Sequence, residues 1–201
     1  MNMQKFSLEP GTGLVIVAHP DDETIWMGGT LLAFPKVEWT IFSLCRSSDP
    51  DRSPKYLKVC RRYNAQAIIT DLEDEGIMSV AQSVSRIRRL IEEQIGGDHF
   101  DYIFTHDKNG EYGHPRHIGV NRAVTGLVEE KKLFCGRLFH FAYRADSRKK
   151  IFNRESDADC FFDLPPAIHA AKQKIVTELY GFSSRSFEEV SCLKRETFIC
   201  G

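Results

Sequence analysis

A chain of 201 residues, 42% hydrophobic and 27% charged, is long enough to bury a full core and suits one globular domain over residues 1–201. A net charge of −1 and a pI near 6.7 exclude a global field that would draw the protein to nucleic acid or to a membrane surface. No stretch approaches the ~18 apolar residues of a membrane span.

The first residues, MNMQKFSLEPGTG, lack the apolar core of a secretory signal. Residues 14–18 (LVIVA) read as a buried strand, followed by a helix over 22–34 and a second strand over 37–44 (VEWTIFSL). A helix is predicted over 53–64, with Ser53 as its cap and Pro54 as its first residue. Residues 67–70 make a short strand. Val80, Val84, Ile87, Leu90, Ile91 and Ile95 fall at helical spacing, and Gly96-Gly97 stops that helix. A fourth strand covers 101–106 (DYIFTH), a helix 114–130, and a fifth strand 137–143. Residues 150–163 read as a hairpin or irregular excursion, and 165–180 as the last long helix.

Short apolar strands alternating with helices predict an α/β fold, a mostly parallel sheet covered on both faces. Ligands in such folds bind outside the carboxyl ends of the strands, where the strand order reverses. In a 3-2-1-4-5 order the loops after the first and fourth strands are neighbours, and these two loops carry most of the chemistry. The first is His19-Pro20-Asp21-Asp22-Glu23, one imidazole with three carboxylates. His19 and Asp22, three apart at a turn into a helix, can point at one ion, and Asp21 then lies beside the metal, where a general base for its water belongs. The second runs from His106 to His117. His114 and His117 share a face at a helix start, so one can complete a metal site and the other act on substrate. Either loop alone is ordinary: acids stabilise helix N-termini and loop histidines are commonly solvated. Together they hold four of the seven histidines, whereas His99, His140 and His169 lack such company. The six cysteines (Cys45, Cys60, Cys135, Cys160, Cys192, Cys200) are scattered without a CxxC pair, which predicts reduced thiols in a cytoplasmic protein.

At these residues the chain resembles the PIG-L/LmbE-type de-N-acetylases. The resemblance is carried by His19-Pro20-Asp21-Asp22-Glu23, by Gly28-Gly29 in the next helix, and by Tyr112-Gly113-His114-Pro115-Arg116-His117. It extends more weakly through Arg52, residues 165–184 and Glu196-Thr197-Phe198. It implies a Rossmann-like three-layer sandwich and hydrolysis of an N-acetyl group, usually on an amino sugar, to acetate and a free amine. By motif position it implies His19, Asp22 and His117 as zinc ligands, Asp21 as general base, and His114 with Tyr112 at the oxyanion or leaving amine. Arg52 is implied as a substrate contact. Iron(II) would fit the same ligands.

The sequence departs from the family pattern in three places. Arg116 stands where many members carry Asp. No glutamate follows Arg52 at the usual spacing. Arg46-Ser47-Ser48 replaces a Thr-x-Gly-Glu-like turn. Arg46, Arg52 and Arg116 together predict a basic rim for an anionic group on the substrate, with Arg52 and Arg116 as substrate-binding residues. Alternatives are the same chemistry on another amide or acyl group, or a non-catalytic carbohydrate-binding relative. A nucleotide-binding module is excluded, because no GxGxxG follows the first strand and the acidic loop would repel phosphate. The expected partner is a small acetamido sugar, with no nucleic acid or membrane, and the oligomeric state, including a homo-oligomer, is left open.

Overall fold

In the computed structural model, which describes residues 3–201, the elements follow the predicted alternation. The first half holds β1 (Gln4–Lys5), β2 (Gly11–Val17), α1 (Asp22–Ala33), β3 (Val37–Ser43), α2 (Arg52–Arg62), β4 (Gln66–Ile69) and α3 (Val80–Ile95). Next come β5 (His99–Thr105), the single turn α4 (Gly110–Gly113), α5 (Pro115–Glu129) and β6 (Phe134–Phe141). The remainder holds β7 (Tyr143–Ala145), β8 (Ile151–Asn153), β9 (Cys160–Asp163), α6 (Pro166–Lys174), α7 (Phe187–Val190) and β10 (Arg195–Cys200).

The main sheet has eight strands in the order β1-β9-β10-β6-β5-β2-β3-β4. The strands β4, β3, β2, β5 and β6 are mutually parallel and reproduce the predicted 3-2-1-4-5 order. Their apolar residues are split between the two faces by the period-two alternation of a strand. Val15, Val17, Ile41 and Phe104 pack with Trp26, Tyr56 and Tyr180 on one face. Leu14, Ile16, Phe42 and Ile103 pack with Ile87, Leu90, Val120 and Val124 on the other. These are the three expected layers. Among the described residues no helix is long and apolar enough to cross a membrane.

Several boundaries and elements differ from the sequence reading. The second helix begins at Arg52, and the Asp49 carboxylate, not Ser53, accepts its first N–H groups, from Asp51 and Arg52. The predicted last helix changes hand-hold part-way: α6 passes into a π-helical stretch, Ile175–Leu179. The 150–163 excursion divides, with β8 forming a hairpin with β7 and β9 joining the main sheet antiparallel to β10.

The helix α1 is broken at Met27 (φ −146°, ψ 18°). The break strands the N–H groups of Gly29 and Thr30, and Glu196 on β10 accepts both at 2.8 Å. Glu196 also accepts from Thr30 Oγ1 and from Lys172 Nζ, each at 2.7 Å, and the carboxylate and the ammonium are wholly buried. Gly29 is required by close approach: a Cβ there would lie 2.3 Å from Leu164 Cδ2.

Candidate active site

The loop after β2 turns into α1 through Asp21, whose φ of 120° is rare for any residue but glycine. Glu23, fully buried, holds this strained turn: its Oε2 accepts from Asp21 N–H at 3.0 Å, and its Oε1 accepts from Thr24 and Tyr180 hydroxyls. Burial raises the Glu23 carboxyl to about 7, although Thr24 and Tyr180 pull it down. The turn aims His19 and Asp22 at the loop after β5. Trp26 Nε1 fixes one Asp22 oxygen at 2.9 Å, leaving Oδ2 for the cleft side.

Three donor atoms converge there. His19 Nδ1, Asp22 Oδ2 and His117 Nε2 lie 3.1, 3.3 and 3.4 Å from one another. Ligands about 2.05 Å from a tetrahedral ion are about 3.3 Å apart, so these spacings fit three ligands of one divalent ion, and His19 and Asp22 line the cleft. The two-nitrogen, one-oxygen set suits zinc or another divalent ion. Burial opposes protonation of His19, yet the Asp22 and Asp74 carboxylates beside it raise it to about 9.

Two buried residues absent from the predicted site set the second loop. Glu111, at φ 56°, accepts from Asp107 N–H at 2.9 Å on Oε1, while Oε2 faces His106 Nδ1 at 2.8 Å and His117 Nδ1 at 2.6 Å. His106 Nε2 accepts from Ala18 N–H at 3.1 Å. Its proton is therefore on Nδ1, facing Glu111, and its second nitrogen is not free for a metal, although it stands 3.5 Å from Asp22 Oδ2. His117 likewise gives its Nδ1 proton to Glu111 and turns Nε2 to Asp22 and His19. A carboxylate behind a ligand histidine fixes its tautomer and makes it a stronger donor. The sequence signal for Glu111 was its position between two histidines.

His114 caps α5. Its Nδ1 accepts from Arg116 N–H at 3.3 Å, which puts the proton on Nε2. Its ring stands edge-on to His19, with centroids 4.8 Å apart. Burial, then His117 and His19, lower it to about 4, so it is a neutral hydrogen-bond donor. Tyr112 packs against Trp26, His114 and His117 and lines the same cleft. Asp21 Oδ2 accepts from Arg52 Nη1 at 2.8 Å, and the Arg52 guanidinium lies over the Phe182 ring at 4.4 Å. Burial and the neighbouring Asp22 push the Asp21 carboxyl well above the usual range, against the pull of Arg52.

Arg116 does not join this cleft, contrary to the expectation of a substrate contact. It is 2% exposed, and its guanidinium is spent on the loop after β4: Nε donates to Glu73 O at 2.7 Å, and Nη2 to Glu73 Oε2 at 2.7 Å and Met78 O at 3.0 Å. That clamp brings Asp74 to the cleft, where its Oδ2 lies 3.1 Å from His19 Nε2 and 3.2 Å from Arg46 Nη2. The predicted basic rim is thereby corrected. The 380 Å³ cleft is lined by Asp21, Asp22, Asp49, Asp74 and Glu188 against only Arg46 and Arg52, each already paired with a carboxylate.

The sequence pattern of the PIG-L family, GlcNAc-PI de-N-acetylase, matches residues 14–128, which contain all of His19, Asp21, Asp22, His114 and His117. The chain belongs to the PIG-L family. Among PIG-L relatives, the N-acetylglucosaminyl-phosphatidylinositol de-N-acetylase of Bos taurus is 23% identical over 196 residues, covering 91% of this chain and 75% of that protein. The 1D-myo-inositol 2-acetamido-2-deoxy-alpha-D-glucopyranoside deacetylase of Rhodococcus erythropolis is 24% identical over 164 residues, covering 58% of this chain and 52% of that protein, about half its length. The fold is shared with the N,N'-diacetylchitobiose deacetylase of Pyrococcus horikoshii, with a TM-score of 0.63 at 15% identity over 94% of this chain and 83% of that one.

Proposed function

We propose that this chain is a metal-dependent N-deacetylase that hydrolyses the acetamido group of an amino sugar or its conjugate, releasing acetate and a free amine. The observation that carries the reading is the donor triangle of His19, Asp22 and His117 with the strained, desolvated Asp21 beside it. Zinc, held by those three residues, would supply a Lewis acid and activate water. Asp21 receives the proton of the attacking water, and its raised affinity for protons suits that role. Arg52 keeps the Asp21 carboxylate in place. His114 offers Nε2–H, and Tyr112 its hydroxyl, to the carbonyl oxygen as charge develops there. The protonated Asp21 then returns its proton to the departing amine.

The charge of the cleft bears on the substrate. Five carboxylates line it against two arginines, and each arginine is already paired with a carboxylate. It accordingly favours a neutral polyhydroxylated sugar, for which Asp74 and Arg46 offer an acceptor and a donor, over an anionic one.

The test is acetate release from a panel of neutral and anionic acetamido sugars by zinc-loaded protein, with Asp21→Ala alongside. Release from neutral sugars that collapses in Asp21→Ala is the expected result. Wild-type release in that variant, or turnover confined to anionic sugars, would refute the mechanism or the substrate class respectively.

A further inference from the structure

Asp21 is held from two sides, and both holds lead back to one short segment late in the chain. The backbone hold runs through Glu23. Its Oε2 accepts from Asp21 N–H at 3.0 Å, and its Oε1 accepts from the Tyr180 hydroxyl at 2.7 Å. The side-chain hold runs through Arg52. Its Nη1 donates to Asp21 Oδ2 at 2.8 Å, and its guanidinium lies 4.4 Å from the centroid of the Phe182 ring. Tyr180 and Phe182 flank Gly181 in the chain, and neither lines the substrate cleft.

The local backbone explains how one segment serves both holds. In the π-helical stretch Ile175–Leu179 the turn is one residue wider than in an α-helix, and Tyr180 N–H donates to Ile175 O at 3.0 Å. Val176 O, left without its α-helical donor, accepts from Phe182 N–H at 3.2 Å. Gly181 makes the reversal between them with a φ of 79°. Tyr180 is thus buried in the core beside Glu23, while Phe182, half-buried, meets Arg52 at the start of α2.

Each hold answers a local need. Asp21 sits at φ 120°, which a residue other than glycine keeps only where its surroundings fix it. Arg52 is a long side chain with much rotamer freedom to lose, and among the described residues its guanidinium hydrogen-bonds only to Asp21. An aromatic face against the guanidinium limits that freedom and leaves its N–H groups directed at the carboxylate. The ordinary reading of a buried tyrosine and a half-buried phenylalanine is core packing. What distinguishes these two is that each reaches Asp21 through a single intervening residue.

We propose that Tyr180 and Phe182 are positioning residues for the general base: Tyr180 sets the Asp21 backbone through Glu23, and Phe182 sets its carboxylate through Arg52. The carboxylate then meets the attacking water in one orientation. Loosening either hold slows proton removal without changing how sugar or zinc binds.

The inference rests on Asp21 as the base. Its test measures kcat and KM for acetate release from a neutral acetamido sugar by zinc-loaded protein, with zinc affinity read by chelator competition. Phe182→Leu keeps the apolar bulk without the π face, and kcat should fall about 2–30-fold, the span of a cation–π contact, with KM and zinc affinity retained. Phe182→Tyr keeps the ring and should keep the parent kcat. Tyr180→Phe removes only the hydroxyl bonded to Glu23 and should lower kcat in the same way, even if Phe182→Leu folds poorly. In Asp21→Asn protein, Phe182→Leu should lower the residual rate no further. Without turnover, the losses in urea unfolding from Phe182→Leu and Arg52→Met should be smaller together than their sum. Parent kcat in both Phe182→Leu and Tyr180→Phe, a raised KM with kcat retained, a further fall in the Asp21→Asn background, or additive urea losses overturns the positioning role. Parent rate in Asp21→Ala overturns the base itself, a failure distinct from parent rate in Phe182→Leu with Asp21 still required.

Discussion

Replacing Glu111 by Gln tests the mechanism that aims His117 at the metal. The carboxylate receives three donors, the His106 and His117 ring N–H groups on Oε2 and Asp107 N–H on Oε1. A glutamine has one carbonyl oxygen. If the histidines keep it, the amide –NH2 faces Asp107 N–H, a buried donor against a donor, at about 1–3 kcal/mol. The two histidine bonds also change from charge-assisted to neutral and lose roughly half their strength. Loss of a carboxylate behind a ligand histidine typically weakens metal binding about 10–100-fold, equivalent to about 1.4–2.7 kcal/mol. Competition for zinc against a chromophoric chelator at fixed pH measures this, and urea unfolding of the metal-free protein measures stability separately. Glu111→Asp, which keeps the charge but sits one methylene short, should fall between the two. Unchanged zinc affinity in Glu111→Gln, with only the urea midpoint lowered, would refute the argument and make Glu111 a folding residue alone.

Other substitutions probe the frame around the site. Lys172→Met leaves the buried Glu196 charge without its ammonium and should cost about 3–5 kcal/mol in urea unfolding. Gly29→Ala drives a Cβ into Leu164 and should lose about 1–3 kcal/mol by the same assay. Arg116→Met frees the Glu73–Met78 loop and with it Asp74, so KM for a neutral acetamido sugar should rise while zinc affinity is retained. Asp101 accepts from Thr12 N–H at 2.7 Å and from its hydroxyl, which lowers the Asp101 carboxyl below its usual value. Its stabilising effect is full above the ordinary aspartate value of about 3.9 and is lost as pH falls through the lower folded-state value. The urea midpoints of the parent and Asp101→Asn should therefore differ at neutral pH and converge under acid.

The parallel half of the sheet was legible because each strand carries a short apolar run set between helical patterns, and the order of those strands makes the two histidine loops neighbours. Strand β10 escaped because Glu196, a buried charge, breaks the apolar pattern of RETFIC. The break in α1 was hinted at by Gly28-Gly29, but the carboxylate that makes it tolerable comes from far along the chain. For Arg116, sequence pointed to the substrate site. The actual answer, a clamp on the loop after β4, depends on a loop 38–43 residues away folding over the start of α5. Glu111 and His106 were visible as residues but not as a pair, because sequence does not show which nitrogen a histidine turns to its neighbour.

Glu196 meets Thr30 across 166 residues of sequence. A contact with that separation bears the loop-closure entropy of most of the chain before it forms. The second half of α1, which follows the loop carrying His19, Asp21 and Asp22, therefore receives its caps only after β10 has docked. In chain order the metal-binding loop and its helix precede the strand that supplies those caps. Assembly of the site thus reports that the rest of the sheet is already in place.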